Sequence, residues 1–146
     1  MSDRKLTPAN LVIMVSGAVI FIASFLAFFK SFEVAPGFSA PSSSAWDRSL
    51  FVIYTVPALL GLLMAGQVVI VTFFRGVAMP SRLFGMTWAQ VHLALAFQAL
   101  LMMIAFLVQD TGTLEHGIGF WLMLIAAGGL FAGGVMKMRE PAGTTY

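Results

Sequence analysis

The apolar positions of this chain fall into four long runs separated by short polar stretches. The first extends from Leu11 to Phe29, ahead of Lys30, and the second from Leu50 to Phe74, between Arg48 and Arg75. The third covers Leu83 to Val108, between Arg82 and Asp110, and the fourth covers Gly117 to Met136, between Glu115 and Lys137. A helix rises about 1.5 Å per residue, so about 20 apolar residues cross a hydrocarbon core of about 30 Å. Each run meets that length, whereas a barrel strand would be about 10 residues of alternating polarity. The pattern predicts an all-α, single-domain integral membrane protein over residues 1–146. Its four transmembrane helices, near 11–29, 50–74, 83–108 and 117–136, form an up-down-up-down bundle. The first run is longer than a signal-peptide core, and the nearest cleavage-like site, Ser43-Ser44-Ala45, lies far beyond it. It is read as a retained span.

Composition agrees with the runs. Of the 146 residues, 60% are hydrophobic and 10% charged, against about 25% charged in soluble domains. The excess apolar surface must face lipid or other membrane chains. Basic residues set the orientation, because Lys and Arg are retained on the cytoplasmic side. With the N-terminus inside, Arg4, Lys5, Arg75, Arg82, Lys137 and Arg139 are cytoplasmic, and only Lys30 and Arg48 are outside. Both termini are therefore expected in the cytoplasm, in a bacterial cytoplasmic membrane. Trp46, Tyr54 and Trp121 then fall near the outer headgroups and Trp88 near the inner ones. The basic residues are scattered between apolar runs and form no nucleic-acid surface. There is no cysteine, which excludes disulfides, thiolate catalysis and thiolate-ligated metals.

Ala23-Ser24-Phe25-Leu26 closes the first run, a Ser/Gly/Pro loop with Pro36, Gly37 and Pro41 follows, and Ser44-Ala45-Trp46-Asp47 leads into the second. This arrangement resembles a group of small four-helix membrane proteins of actinobacteria. Where that group often ends its first helix in a Phe-Leu-Pro-Trp-like run, this chain has Phe25-Leu26-Ala27-Phe28. The resemblance covers roughly the first 65 residues. It implies the four-helix topology and carries no function over.

Between lipid-bathed helices there is no hydrophobic drive, so small residues mark where backbones approach. The fourth run has Ala126, Gly129 and Gly133 on one face, the last two forming a GxxxG. The second run has Ala58, Gly61 and Ala65, and the first has Gly17, Ser24 and Ala27. These faces serve packing within the bundle or contact with another chain. Gly128, Ala132 and Gly134 make the fourth helix small on more than one side, and the expectation is that it meets a second chain, identical or different. Pro57 should bend the second helix near its outer end.

Polar residues inside the runs are the candidate functional positions. On the third run, His92 shares a face with Ala89, Ala96 and Ala99, while Gln90, Ala94 and Gln98 form a second stripe. Both stripes are expected to avoid lipid, which would make this helix central. Gln67 on the second run lies as far from the inner end as Gln90 does, and an amide hydrogen bond between them is expected. His92 is read as structural, with quinone or lipid contact and proton relay as alternatives. No cofactor is expected. His116 lies near the opposite surface from His92, so the two cannot clamp one haem, and a zinc site lacks further ligands at that depth. Ser39, Ser42, Ser43 and Ser44 share a loop without a histidine, and Glu115–His116 reads as a polar helix start. No phosphate-binding glycine loop is present. The expected role is a non-catalytic membrane subunit, an accessory part of a larger complex or a self-assembling oligomer. The alternatives are a small channel or transporter built by an oligomer, and a quinone- or lipid-contacting subunit of a respiratory-type complex.

Overall fold

The computed structural model describes residues 6–31, 42–47, 51–74, 77, 79–112 and 114–141. Arg4, Lys5, Pro36, Gly37, Ser39, Pro41, Arg48, Leu50 and Arg75, used above, lie outside the described residues. The chain forms α1 (Pro8–Ala23), β1 (Ala27–Ser31), β2 (Ser43–Ser44), α2 (Phe51–Tyr54), α3 (Val56–Phe73), α4 (Trp88–Val108), β3 (Leu114–His116) and α5 (Ile118–Met138). Three helical stretches are long and apolar enough to cross a membrane: Val52–Phe73, Trp88–Val108 and Ile118–Met138. The fourth apolar helix, α1, has 16 residues. The long helices pack in the cyclic order α1–α3–α4–α5, and α3 also touches α5 across the bundle. α1 begins and α5 finishes at one end, called here the basal end; a small sheet closes the other.

Each helix start has a local cause. Thr7 caps α1, its Oγ1 accepting from the Asn10 N–H at 3.2 Å, with Pro8 in the first turn. α4 starts at Trp88, five residues later than the apolar pattern predicts. Leu83 and Met86 exchange two backbone hydrogen bonds around Phe84 and Gly85, whose φ values are 51° and 80°. Gly85 accepts that left-handed geometry without strain. Thr87 and Gln90 then form a reciprocal capping box, which fixes the first turn.

The sheet corrects the expectation of an all-α chain. Residues 27–29 are not helical; they open β1, the centre of a three-stranded antiparallel sheet ordered β2-β1-β3. Phe29 pairs with His116 and Lys30 with Glu115, so Glu115–His116 is strand rather than helix start. A short apolar run reads equally as buried helix or buried strand, and here tertiary partners decide. Phe28, fully buried, packs its ring against Phe29, Tyr54, Phe106 and Phe120 at 4.9–6.1 Å. The Gly117 N–H donates to the Phe28 carbonyl at 2.7 Å. Where α1 stops, Ser24 Oγ donates to the Phe21 carbonyl and accepts from Trp46 Nε1 at 2.8 Å.

Pro57 acts differently from expectation as well. The second run is interrupted at Thr55, and Pro57 sits in the first turn of α3. There its missing N–H leaves no helical bond unmade.

Candidate functional site

Glycine contacts fix how the helices register. A Cβ on Gly17 would stand 2.5 Å from the Gly61 carbonyl oxygen and 2.6 Å from Ala65 Cβ, so α1 and α3 touch backbone to backbone. A Cβ on Gly133 would meet Ile13 at 2.8 Å, and one on Gly134 would meet Leu93 Cα at 3.1 Å. Ile13, Gly133, Gly134 and His92 therefore lie at one level. Toward the basal end, Ile13 stands four residues from Gly17 on α1 and Gln67 two residues from Ala65 on α3, so Gln67 lies within about a turn of that level.

This level and the turn below it hold the buried polar side chains of the basal half. His92 is 1% exposed and Gln67 6% exposed. Among the described residues, neither ring nitrogen of His92 and neither amide atom of Gln67 has a hydrogen-bond partner. Lys137 on α5 is 2% exposed, and its Nζ donates to Asn10 Oδ1 on α1 at 2.5 Å. Lys137 also lies within electrostatic range of His92. Four helices thus each contribute one buried polar residue to a layer inside the basal half. Lys137 is a permanent donor, whereas the imidazole and the two amides both donate and accept. Beside the layer, a cavity of about 310 Å³ is lined by Pro80, Thr87, Trp88, Gln90, Lys137 and Glu140. Trp88 Nε1 donates to the Pro80 carbonyl at 2.8 Å and fixes one wall.

The expected site residues separate. Gln67 and His92 face the interior, while Gln90 and Gln98 are exposed along the outer side of α4. The expected Gln67–Gln90 bond does not form. Because α4 starts late, Gln90 is its third residue, and Gln90 Oε1 accepts from the Thr87 N–H at 2.9 Å. Nor do both stripes of α4 avoid the surface: Ala89, His92, Ala96 and Ala99 are buried, and Gln90, Ala94 and Gln98 are exposed.

The small residues of α5 are used within the chain. Gly129 lies against Ser16, Gly133 against Ile13 and Val12, and Ala126 is buried. Gly134 lies against α4. The helix is small on two sides because two internal neighbours flank it, and its GxxxG face packs against α1.

Sequence reading missed Lys137 and Asn10. Lys137 looks like a flanking charge at a span end, yet it stands three and four residues after Gly134 and Gly133, on their buried face. Asn10 stands three and seven residues before Ile13 and Gly17, on the face that meets α5 and α3. Helical spacing was the available signal in both cases.

No protein-family model, curated protein or solved structure matches this chain.

Proposed function

We propose that the chain is a non-catalytic integral membrane subunit that assembles with a further membrane helix along the outer face of α4. The observation that carries this reading is Gln98. It stands ten residues from Trp88 and ten from Val108, at the centre of a 21-residue apolar helix, and it is exposed. Facing hydrocarbon, an amide without a partner costs several kcal/mol. Around it, Ala94, Phe97, Leu101 and Ala105 are exposed too, giving a surface a second helix can approach closely. A shared pore lined by Gln67, Gln90, His92 and Gln98 together would need all four on one face; two point inward and two outward, which favours assembly over conduction.

In this reading the basal end is cytoplasmic and the membrane is a bacterial cytoplasmic one. Among the described residues Arg82, Lys137 and Arg139 lie at the basal end, and Lys30 lies at the sheet end with Asp47, Asp110 and Glu115. That distribution fits retention of basic residues inside.

A photo-crosslinking residue at Ala94 is expected to give one discrete adduct in native membranes. The same residue at Ile125, 70% exposed on α5, is expected to give none. Gln98→Leu should lower the Ala94 adduct about three- to tenfold, matching the range of interhelical amide bonds in membranes. Equal labelling from Ala94 and Ile125, or an adduct indifferent to Gln98→Leu, would sink the assembly reading.

A further inference from the structure

We infer that His92 and Gln67 hold a buried water between α4 and α3, so that the basal half of the bundle is hydrated rather than dry. His92 is 1% exposed and Gln67 6% exposed, and among the described residues none of their four polar side-chain atoms has a hydrogen-bond partner. α3 and α4 are neighbours in the bundle, and the two residues lie within about a turn of one level. Unpartnered groups are costly inside a protein, and nearly all find a protein group or an ordered water. Met64 and Val71, which flank Gln67 on the buried face of α3, are apolar. Ala89 and Ala96 flank His92 on the buried face of α4, so the imidazole has small neighbours on either side.

The identity of the ligand follows from what the two side chains lack. A neutral imidazole offers one donor and one acceptor, and an amide offers N–H donors and an acceptor oxygen. A direct bond from the ring N–H to the amide oxygen would still leave the second ring nitrogen and the amide N–H groups unmatched. One molecule that donates to that nitrogen and accepts from that amide completes both. A quinone or ester carbonyl only accepts, and so leaves the ring nitrogen unmatched. Water does both in the smallest volume, and a buried water typically makes about three hydrogen bonds to such groups. Its way in is the basal cavity. Trp88 and Ala89 line that cavity and stand one turn before His92, and the Trp88 and His92 rings are 6.4 Å apart. At the sheet end the fully buried Phe28 and its aromatic neighbours close the bundle. The route to the imidazole thus runs from the basal side. The site faces the interior and is independent of assembly through the outer face of α4.

The test is radiolytic footprinting of the full chain in detergent, in which a short X-ray pulse turns bound water into hydroxyl radicals that oxidise the side chains touching it. His92 is expected to be oxidised, and in heavy-oxygen water the added oxygen should carry the heavy isotope. Met103 and Met123, 0% exposed, are the dry references. Methionine is the more reactive side chain, so oxidation of His92 ahead of both reports water at the imidazole and not a loosened bundle. Gln67→Met, close in shape and without the amide, should lower the His92 oxidation about three- to tenfold, the scale of one hydrogen bond. Oxidation of His92 as slow as that of Met103 and Met123 in the unmodified protein overturns the inference, and that comparison needs no variant. Oxidation of His92 unchanged by Gln67→Met overturns it equally, because the pair would then not hold the water.

Discussion

Gly129→Leu and Gly133→Leu are expected to unfold the protomer itself, while Gly128→Leu, one residue away, leaves it folded. The three glycines belong to one helix and differ only in what a side chain would meet. At Gly133 the new Cβ would stand 2.8 Å from Ile13 Cγ1 and 3.3 Å from the Ile13 backbone nitrogen. At Gly129 it would collide with the Ser16 side chain, and at Gly128 nothing lies within 4 Å. Forcing carbons into a packed contact costs about 1–3 kcal/mol or more, and leucine adds three carbons beyond the Cβ. Losses of at least about 3 kcal/mol are expected at Gly133, smaller ones at Gly129, and none at Gly128, where leaving glycine favours the helix. Resistance to unfolding in a graded mixture of mild detergent and sodium dodecyl sulfate would report the order. A folded Gly133→Leu protomer that has only lost a partner chain would return the GxxxG face to intermolecular use.

The second large effect concerns Asn10 and Lys137, which bond across the α1–α5 interface. Asn10→Leu should destabilise by about 1.5–3 kcal/mol, the scale of a hydrogen bond to a charged group, because the ammonium stays buried without that acceptor. Lys137→Met should cost less, since the residual Asn10 is neutral. The double variant should be more stable than the sum of the two losses, because no charge remains to be satisfied. Strict additivity would show that the pair does not act as a unit.

Much of this architecture was legible in the apolar runs, because length against bilayer thickness is a blunt criterion that survives local detail. Three of the four expected spans appear as long apolar helices, and the first appears as the shorter α1 because its last residues form β1. The ends of the runs were less legible. Residues 27–29 are as apolar as a helix end requires, and nothing local reveals that β3, far along the chain, pairs with them. The late start of α4 turns on Thr87 and Gln90, a cap signature that the apolar residues from Leu83 onward conceal.

The candidate site was legible in part for a related reason. His92 stood out because histidine is rare in an apolar run, and its alanine neighbours marked the buried face. Gln67 stood out likewise, but its partner was assigned by depth alone, and depth does not give rotation about the helix axis. Lys137 was hidden by its position: a lysine at a span end ordinarily reaches to the headgroups. Its burial and its bond to Asn10, on the face where Gly133 and Gly134 meet α1 and α4, show that this lysine points inward.

The sheet that closes the bundle also orders events during synthesis. β1 emerges early, and at that stage its partner among the described residues is the two-residue β2, too short a rung to hold by itself. Its second partner, β3, is made only after α4, and Phe28 meets Phe120 only after α5 has begun. A chain interrupted before β3 would thus carry a bare strand edge and an unfilled aromatic cluster at the sheet end, features that favour association with other unfinished chains.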